Sequence, residues 1–121
     1  MTLVDANILI DLFTDDKNWA AASGEAMVRA AEHGPIGINP IIYSEVSVAF
    51  SARAAFEKAL ACLELDRWEL PYEAGFLAGK AFLRYRKKGG EKRSPLPDFY
   101  IGGHAACQGC ALLTRDLRRY Q

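Results

Sequence analysis

Four acidic side chains stand at positions where a folded chain seldom leaves charge. Thr2, Leu3 and Val4 run directly into Asp5, and Ala111 to Thr114 run into Arg115 and Asp116. Glu45 is the one charge in Pro40 to Phe50, a stretch apolar nearly all round, and Asp98 follows the stiff segment Ser94-Pro95-Leu96-Pro97. An acid just beyond a buried strand lies where open α/β sheets bind their ligands. Each acid also has an ordinary alternative: Asp5 and Asp98 can cap helices, and Glu45 can reach water from the rim of its helix. A parallel sheet that gathered all four at one edge would crowd carboxylates together, and protons or a hard cation must then relieve their repulsion. Oxygen donors with no His or Cys at ligand spacing indicate Mg²⁺ or Mn²⁺. Such a site suits phosphodiester cleavage, in which the ion activates a water, orients the scissile phosphate and neutralises the leaving oxygen.

The remaining residues read as the frame for these acids. A helix begins near Asn7, and Asp15-Asp16-Lys17-Asn18 supplies turn and cap residues for a second, Trp19 to His33, stopped by Gly34-Pro35. Pro35 to Ile38 is a second strand, and Asn39-Pro40 opens the helix that carries Glu45, with a capping side chain and a proline at the first helical position. Its composition predicts burial against the sheet. Ser51 to Cys62 reads as a helix, Arg67 to Leu70 as a third strand ended by Pro71, and Tyr72 to Lys88 as a long helix. Asp98 to Gly109 is a helix in which Gly102 and Gly103 cost about 1 kcal/mol each against Ala, so close packing must require them. Ala111 to Thr114 is the last strand, and Leu117 to Tyr120 a helical start. Strands alternating with helices indicate one α/β domain around a small parallel sheet.

Charge is divided along the chain. Residues 1–60 carry eight acids and four bases, and residues 61–121 carry seven acids and eleven bases, so a net charge of zero hides an acidic and a basic half. Six of those bases, Arg84, Arg86, Lys87, Lys88, Lys92 and Arg93, stand against Glu91 alone. Bases at a helix C-terminus complement its dipole, but their continuation into a glycine-containing loop suits a phosphate backbone. No base precedes the first apolar run and no stretch is long and apolar enough to span a membrane, which predicts a cytoplasmic protein. Cys62, Cys107 and Cys110 are too few for a disulfide framework and read as small buried thiols. His33 reads as a surface residue at a helix end and His104 as a packed polar residue.

In their order and separation, the motifs around the four acids carry a family likeness. Met1-Thr-Leu-Val-Asp5-Ala-Asn7 resembles the opening of PIN-domain ribonucleases, and Tyr43-Ser44-Glu45 resembles their central glutamate segment. Leu96-Pro97-Asp98 through His104-Ala105 resembles their second aspartate segment, and Leu113-Thr114-Arg115-Asp116 their closing motif. Any one motif is short, but four in order cover almost the whole chain, and the likeness is greatest to the VapC toxins of toxin–antitoxin pairs. It implies a Rossmann-like PIN fold, a three-layer sandwich, over residues 1–121, and Mg²⁺- or Mn²⁺-dependent endoribonuclease activity on tRNA, rRNA or mRNA. Asp5, Asp98 and Asp116 would hold the metal, with Glu45 contributing directly or through water, and Asn7 and Thr114 would orient the acids. A homodimer and a VapB-type antitoxin whose tail fills the groove are implied as well. The family usually continues through another strand after its last aspartate, so the resemblance implies either that the chain is cut at Gln121 or that it lacks an edge strand.

On this reading RNA backbone is held by Arg84, Arg86, Lys87, Lys88, Lys92 and Arg93 together with Arg115, Arg118 and Arg119. Two other readings use the same residues: a PIN nuclease of RNA processing that has no antitoxin, and a non-catalytic Mg²⁺-binding interaction domain. A receiver domain, one form of the latter, needs a late lysine, and no Lys follows Lys92.

Overall fold

Short, largely apolar runs closed by a polar residue form three of the four strands of the sheet in the computed structural model, which describes residues 1–89 and 96–115. The strands among these are β1 (Thr2–Val4), β2 (Ile36–Ile38), β3 (Asp66–Arg67) and β4 (Ala111–Leu113), in the order β3-β2-β1-β4. All neighbours are parallel, with Leu3 beside Gly37 and Leu112, and Gly37 beside Asp66. Every strand therefore points its carboxyl end to the same edge. Burial on both faces explains why β1 and β2 are continuous apolar runs rather than alternating ones.

Helices α1 (Ala6–Phe13), α2 (Ala20–Glu32), α3 (Pro40–Ser47), α4 (Arg53–Ala61), α5 (Tyr72–Lys87) and α6 (Leu96–Gln108) are the crossovers and the outer layers. Leu3, Val4, Leu9, Ile42, Val46 and Ile101 are sealed from solvent between sheet and helices. Each such side chain stabilises the fold by roughly 1.5–3 kcal/mol relative to exposure. The architecture is the α/β sandwich expected, with its central sheet parallel throughout. Helices α5 and α6 pack most closely where a Cβ on Gly103 would stand 2.7 Å from the carbonyl oxygen of Ala74, which is why that helix tolerates a glycine in its interior.

Four expectations are corrected. The third strand is Asp66–Arg67 rather than Arg67 to Leu70. Trp68 N still donates to Ile38 O at 2.8 Å, but Asn39 turns the neighbouring chain into α3, and the ladder ends there. Helix α3 stops at Ser47 and buries only the stripe Ile42 and Val46, whereas Val48 is 81% exposed. The cysteines are not buried: Cys62 is exposed and Cys107 and Cys110 are partly so, all three as free thiols. Helix α6 begins at Leu96, two residues before Asp98, because a proline in the first helical turn forfeits no intrahelical bond. The helical start at Leu117 to Tyr120 lies outside the described residues.

Candidate active site

Asp5 occupies the carboxyl end of the central strand β1 and is 3% exposed. It is also the N-cap of α1, so the two roles open from its sequence context are both filled. Oδ1 accepts from the Ala6 amide at 2.8 Å, and Oδ2 accepts from the Thr114 hydroxyl, also at 2.8 Å. Parallel pairing of β1 with β4 carries Thr114 there, because Asp5 N donates to Leu113 O at 2.9 Å and fixes the register at the sheet edge. Asn7 completes the bridge: its Nδ2 donates to Thr114 Oγ1 at 3.2 Å, and its Oδ1 accepts from the Arg115 amide at 3.3 Å. Residues more than a hundred positions apart thus clamp one carboxylate by its two oxygens. Donors on both oxygens fix the plane and orientation of the carboxylate.

At the end of the adjacent strand β2, Asn39 caps α3 by accepting from the Ile42 amide at Oδ1, 2.9 Å away. That bond fixes the amide's orientation, so Nδ2 donates to His104 Nδ1 at 2.9 Å and leaves the ring proton on Nε2. His104 is 2% exposed, and burial pushes its pKa below the ordinary value, which keeps the ring neutral. The pair ties α6 to the carboxyl end of β2. Asp98 lies in the first turn of α6 and is 4% exposed, and Glu45 on α3 is half-buried with Oε1 out of contact with water. The predicted acids Asp5, Glu45 and Asp98 are thus carboxyl groups wholly or partly withdrawn from solvent, at the end of β1 and on α3 and α6. The fourth predicted acid, Asp116, lies outside the described residues.

Asp11 was not among the residues singled out from the sequence, yet it is one of the most buried polar groups. Its Oδ2 accepts from the Ser23 hydroxyl and from Arg115 Nε, each at 2.9 Å, and its Oδ1 accepts from Arg115 Nη2 at 3.0 Å. The Arg115 guanidinium lies 5.0 Å from the ring centre of Trp19. Arg115, expected to face RNA, therefore has two of its nitrogens committed to a partner inside the protein. The signal available in the sequence was the one that drew attention to Glu45: a lone acid within an apolar helix, here Ile8 to Phe13.

Arg84, Arg86, Lys87 and Lys88 are exposed at the C-terminal end of α5. Lys92, Arg93, Arg118 and Arg119 lie outside the described residues. A cleft of about 790 Å³ opens beside Asn39, between α3, α4 and the end of β3, lined by Tyr43, Phe50, Phe56, Arg53 and Trp68 among others. On its wall Tyr43 Oη donates to Glu57 Oε1 at 2.8 Å, and Arg67 forms an ion pair with the Glu57 carboxylate that, with the Tyr43 bond, lowers its pKa to about 2.

The donor chemistry suits a hard divalent cation: carboxylate oxygens on three elements, withdrawn from water, with Asp5 held by donors. His104 is turned to Asn39 and adds nothing to that set. Among the described residues no three His, Cys, Asp or Glu side chains by themselves form a metal-holding group. No helix among the described residues is long and apolar enough to cross a membrane.

The PIN domain family matches residues 2–121 of the chain. No curated protein sequence matches it. Its fold is similar to that of VapBC2 from Rickettsia felis bound to a DNA fragment from their promoter, with a TM-score of 0.77 and 15% identity over 98% of this chain and 90% of that one. A toxin-antitoxin complex from Klebsiella pneumoniae gives 0.71 and 23% identity over 99% and 90% of the two chains. VapBC-1 from nontypeable Haemophilus influenzae gives 0.71 and 18% identity, again over 99% and 90%. At these identities the likeness to the solved structures is one of fold.

Proposed function

This chain belongs to the PIN-domain family, and on that premise we propose that it is the toxin of a VapBC-type pair, a divalent-metal-dependent endoribonuclease acting on structured RNA. The observation that carries the reading is the clamp on Asp5: a carboxylate at the end of the central strand, 3% exposed, gripped by Thr114 and the Ala6 amide. A helix cap alone needs one carboxylate oxygen and no contribution from the far end of the chain.

Asp5, Asp98 and Asp116 would hold Mg²⁺ or Mn²⁺, with Glu45 contributing directly or through water. When bound, the ion supplies activation of water and neutralises charge on the scissile phosphate. The chain's own part is orientation. Thr114 and Ala6 hold the Asp5 carboxylate in place, and Asn7 keeps the Thr114 hydroxyl pointed at it. The exposed Arg84, Arg86, Lys87 and Lys88 would hold RNA backbone, and Lys92, Arg93, Arg118 and Arg119 would contribute to the same task. Arg115 is left out of that set because its guanidinium is engaged by Asp11.

The partners proposed are an RNA substrate, a second copy of the chain and a VapB-type antitoxin. The antitoxin is supported by the similarity in fold to three proteins solved as toxin–antitoxin assemblies. Asp98→Asn tests the nuclease: the variant should fold as the parent does by circular dichroism and lose Mn²⁺-dependent RNA cleavage that leaves 5′-phosphate ends. Undiminished cleavage would show that the acids are wrongly assigned.

A further inference from the structure

Of the two tryptophans, Trp68 packs against the core and Trp19 stands 45% exposed at the start of α2. Single exposed apolar residues are ordinary. Trp19 differs because the chain fixes it from two sides. Asp16 N donates to Asp11 O at 3.0 Å, and Asp16 Oδ1 accepts from the Trp19 amide at 2.9 Å, so the turn between α1 and α2 sets the backbone of the indole. The Arg115 guanidinium, its plane held by two bonds to the Asp11 carboxylate, lies over the ring, 5.0 Å from its centre. Asp11 thus anchors both supports, one by its carbonyl and one by its side chain. With one face of the ring under Arg115, the surface left in water is the opposite face and the rim.

The position of the ring indicates what it meets. Arg115 follows Thr114, whose hydroxyl donates to Asp5, and the Arg115 amide donates to Asn7 in the same clamp. The indole therefore stands at the carboxyl edge of the sheet, a single arginine side chain away from the residues that grip Asp5. The charge of that arginine is met by Asp11, so what the pair offers a ligand is a flat aromatic face rather than a cation. Unpaired bases stack on such faces, and in structured RNA these are the bases of loops, bulges and ends. We propose that Trp19 is a stacking platform for one unpaired base of the RNA, a few nucleotides from the bond that is cut; this rests on RNA being the substrate.

The platform and the basic surface divide the work. The cations at the end of α5 meet phosphates, which position a strand without engaging its bases. Trp19 engages a base, and its effect belongs to binding rather than to the acid clamp. Because Asp16 holds the Trp19 backbone independently of Arg115, the ring keeps its place when that side chain is truncated.

Two measurements test the platform. In the Trp68→Phe background, Trp19 is the only tryptophan, and without divalent metal a single-stranded oligoadenylate should quench its fluorescence. The same strand paired with oligouridylate should quench far less, since its bases are then stacked on one another. In steady-state cleavage, Trp19→Leu should raise KM roughly tenfold, the loss of one base–aromatic stack, with kcat unchanged, and Trp19→Phe should recover most of it. That loss should be equal at low and high salt, because stacking releases no counterions. A ring with only a structural role would lower kcat and the thermal midpoint instead. A parental KM in Trp19→Leu, or equal quenching by strand and duplex, would overturn the proposal. A chain that cleaves no RNA while oligoadenylate still quenches Trp19 would refute the nuclease and support the platform; cleavage with an unquenched indole would do the reverse.

Discussion

Replacing Arg115 by Ala tests whether the buried pair with Asp11 holds the end of β4 in place. The Asp11 carboxylate is 2% exposed and takes three hydrogen bonds, two of them from Arg115. Truncation leaves it with the Ser23 hydroxyl. Breaking a fully buried ion pair costs about 3–5 kcal/mol. The Arg115 side chain, however, retains 34% of its exposure, so water already weakens the attraction and can reach the vacated space, and about 2 kcal/mol is the appropriate figure. With a urea dependence of about 2 kcal/mol per molar for a domain of this size, the unfolding midpoint should fall by about 1 M. Asp11→Asn should cost less, because the freed guanidinium can turn to solvent, and the two single changes should be non-additive in the double variant. The same change should reach the Asp5 carboxylate through the Arg115 amide, Asn7 and Thr114, lowering kcat for the proposed RNA cleavage while leaving KM and its salt dependence nearly unaltered. A midpoint shift below about 0.2 M, or a loss confined to KM, would refute the reasoning and return Arg115 to the RNA surface.

Gly103→Ala should destabilise the chain by about 1–3 kcal/mol, since the new methyl meets the backbone oxygen of Ala74 at 2.7 Å and only separation of α5 from α6 can relieve it; thermal unfolding measures this. Stability should fall as pH drops below the ordinary histidine value of 6.5, because burial holds the native His104 pKa lower and the unfolded chain takes up the proton first. One such proton gives a slope of up to about 1.4 kcal/mol per pH unit, and His104→Gln should flatten it in urea titrations between pH 7 and pH 5 (approximate limits set by the same pKa). RNA cleavage should weaken steeply with added salt, and Arg86→Ala with Lys87→Ala should reduce that slope by about 2, one for each phosphate left without its cation.

Much of the frame was legible from local signals. Asn39-Pro40 announced a helix start because an amide oxygen and a proline ring act within one turn, and the structure has that cap and that first residue. Strand β1 and the acid after it were legible for the same reason, as a short apolar run favours a buried strand and an Asp directly after it caps the helix that follows. Failures arose where burial is decided by a neighbour. The sequence of α3 reads as buried all round, but only the stripe that meets the sheet is covered, and Val48 is left in water. The cysteines look like core residues and lie on faces that the described residues do not fully cover.

The sequence by itself determined the family and, in order, the four acids proposed for its site, because chemistry resides in residue types and a chain keeps its order when it folds. Which groups hold Asp5, and what ties α6 to the sheet, was decided by the tertiary structure alone. Thr114 reaches Asp5 only because β4 pairs in parallel beside β1, and Asn39 meets His104 only because α6 packs across the end of β2. Arg115 illustrates the difference most plainly. Its charge reads as a phosphate contact along the chain, and in three dimensions a buried carboxylate from α1 claims it, since an unpaired Asp11 could not stay where the fold puts it.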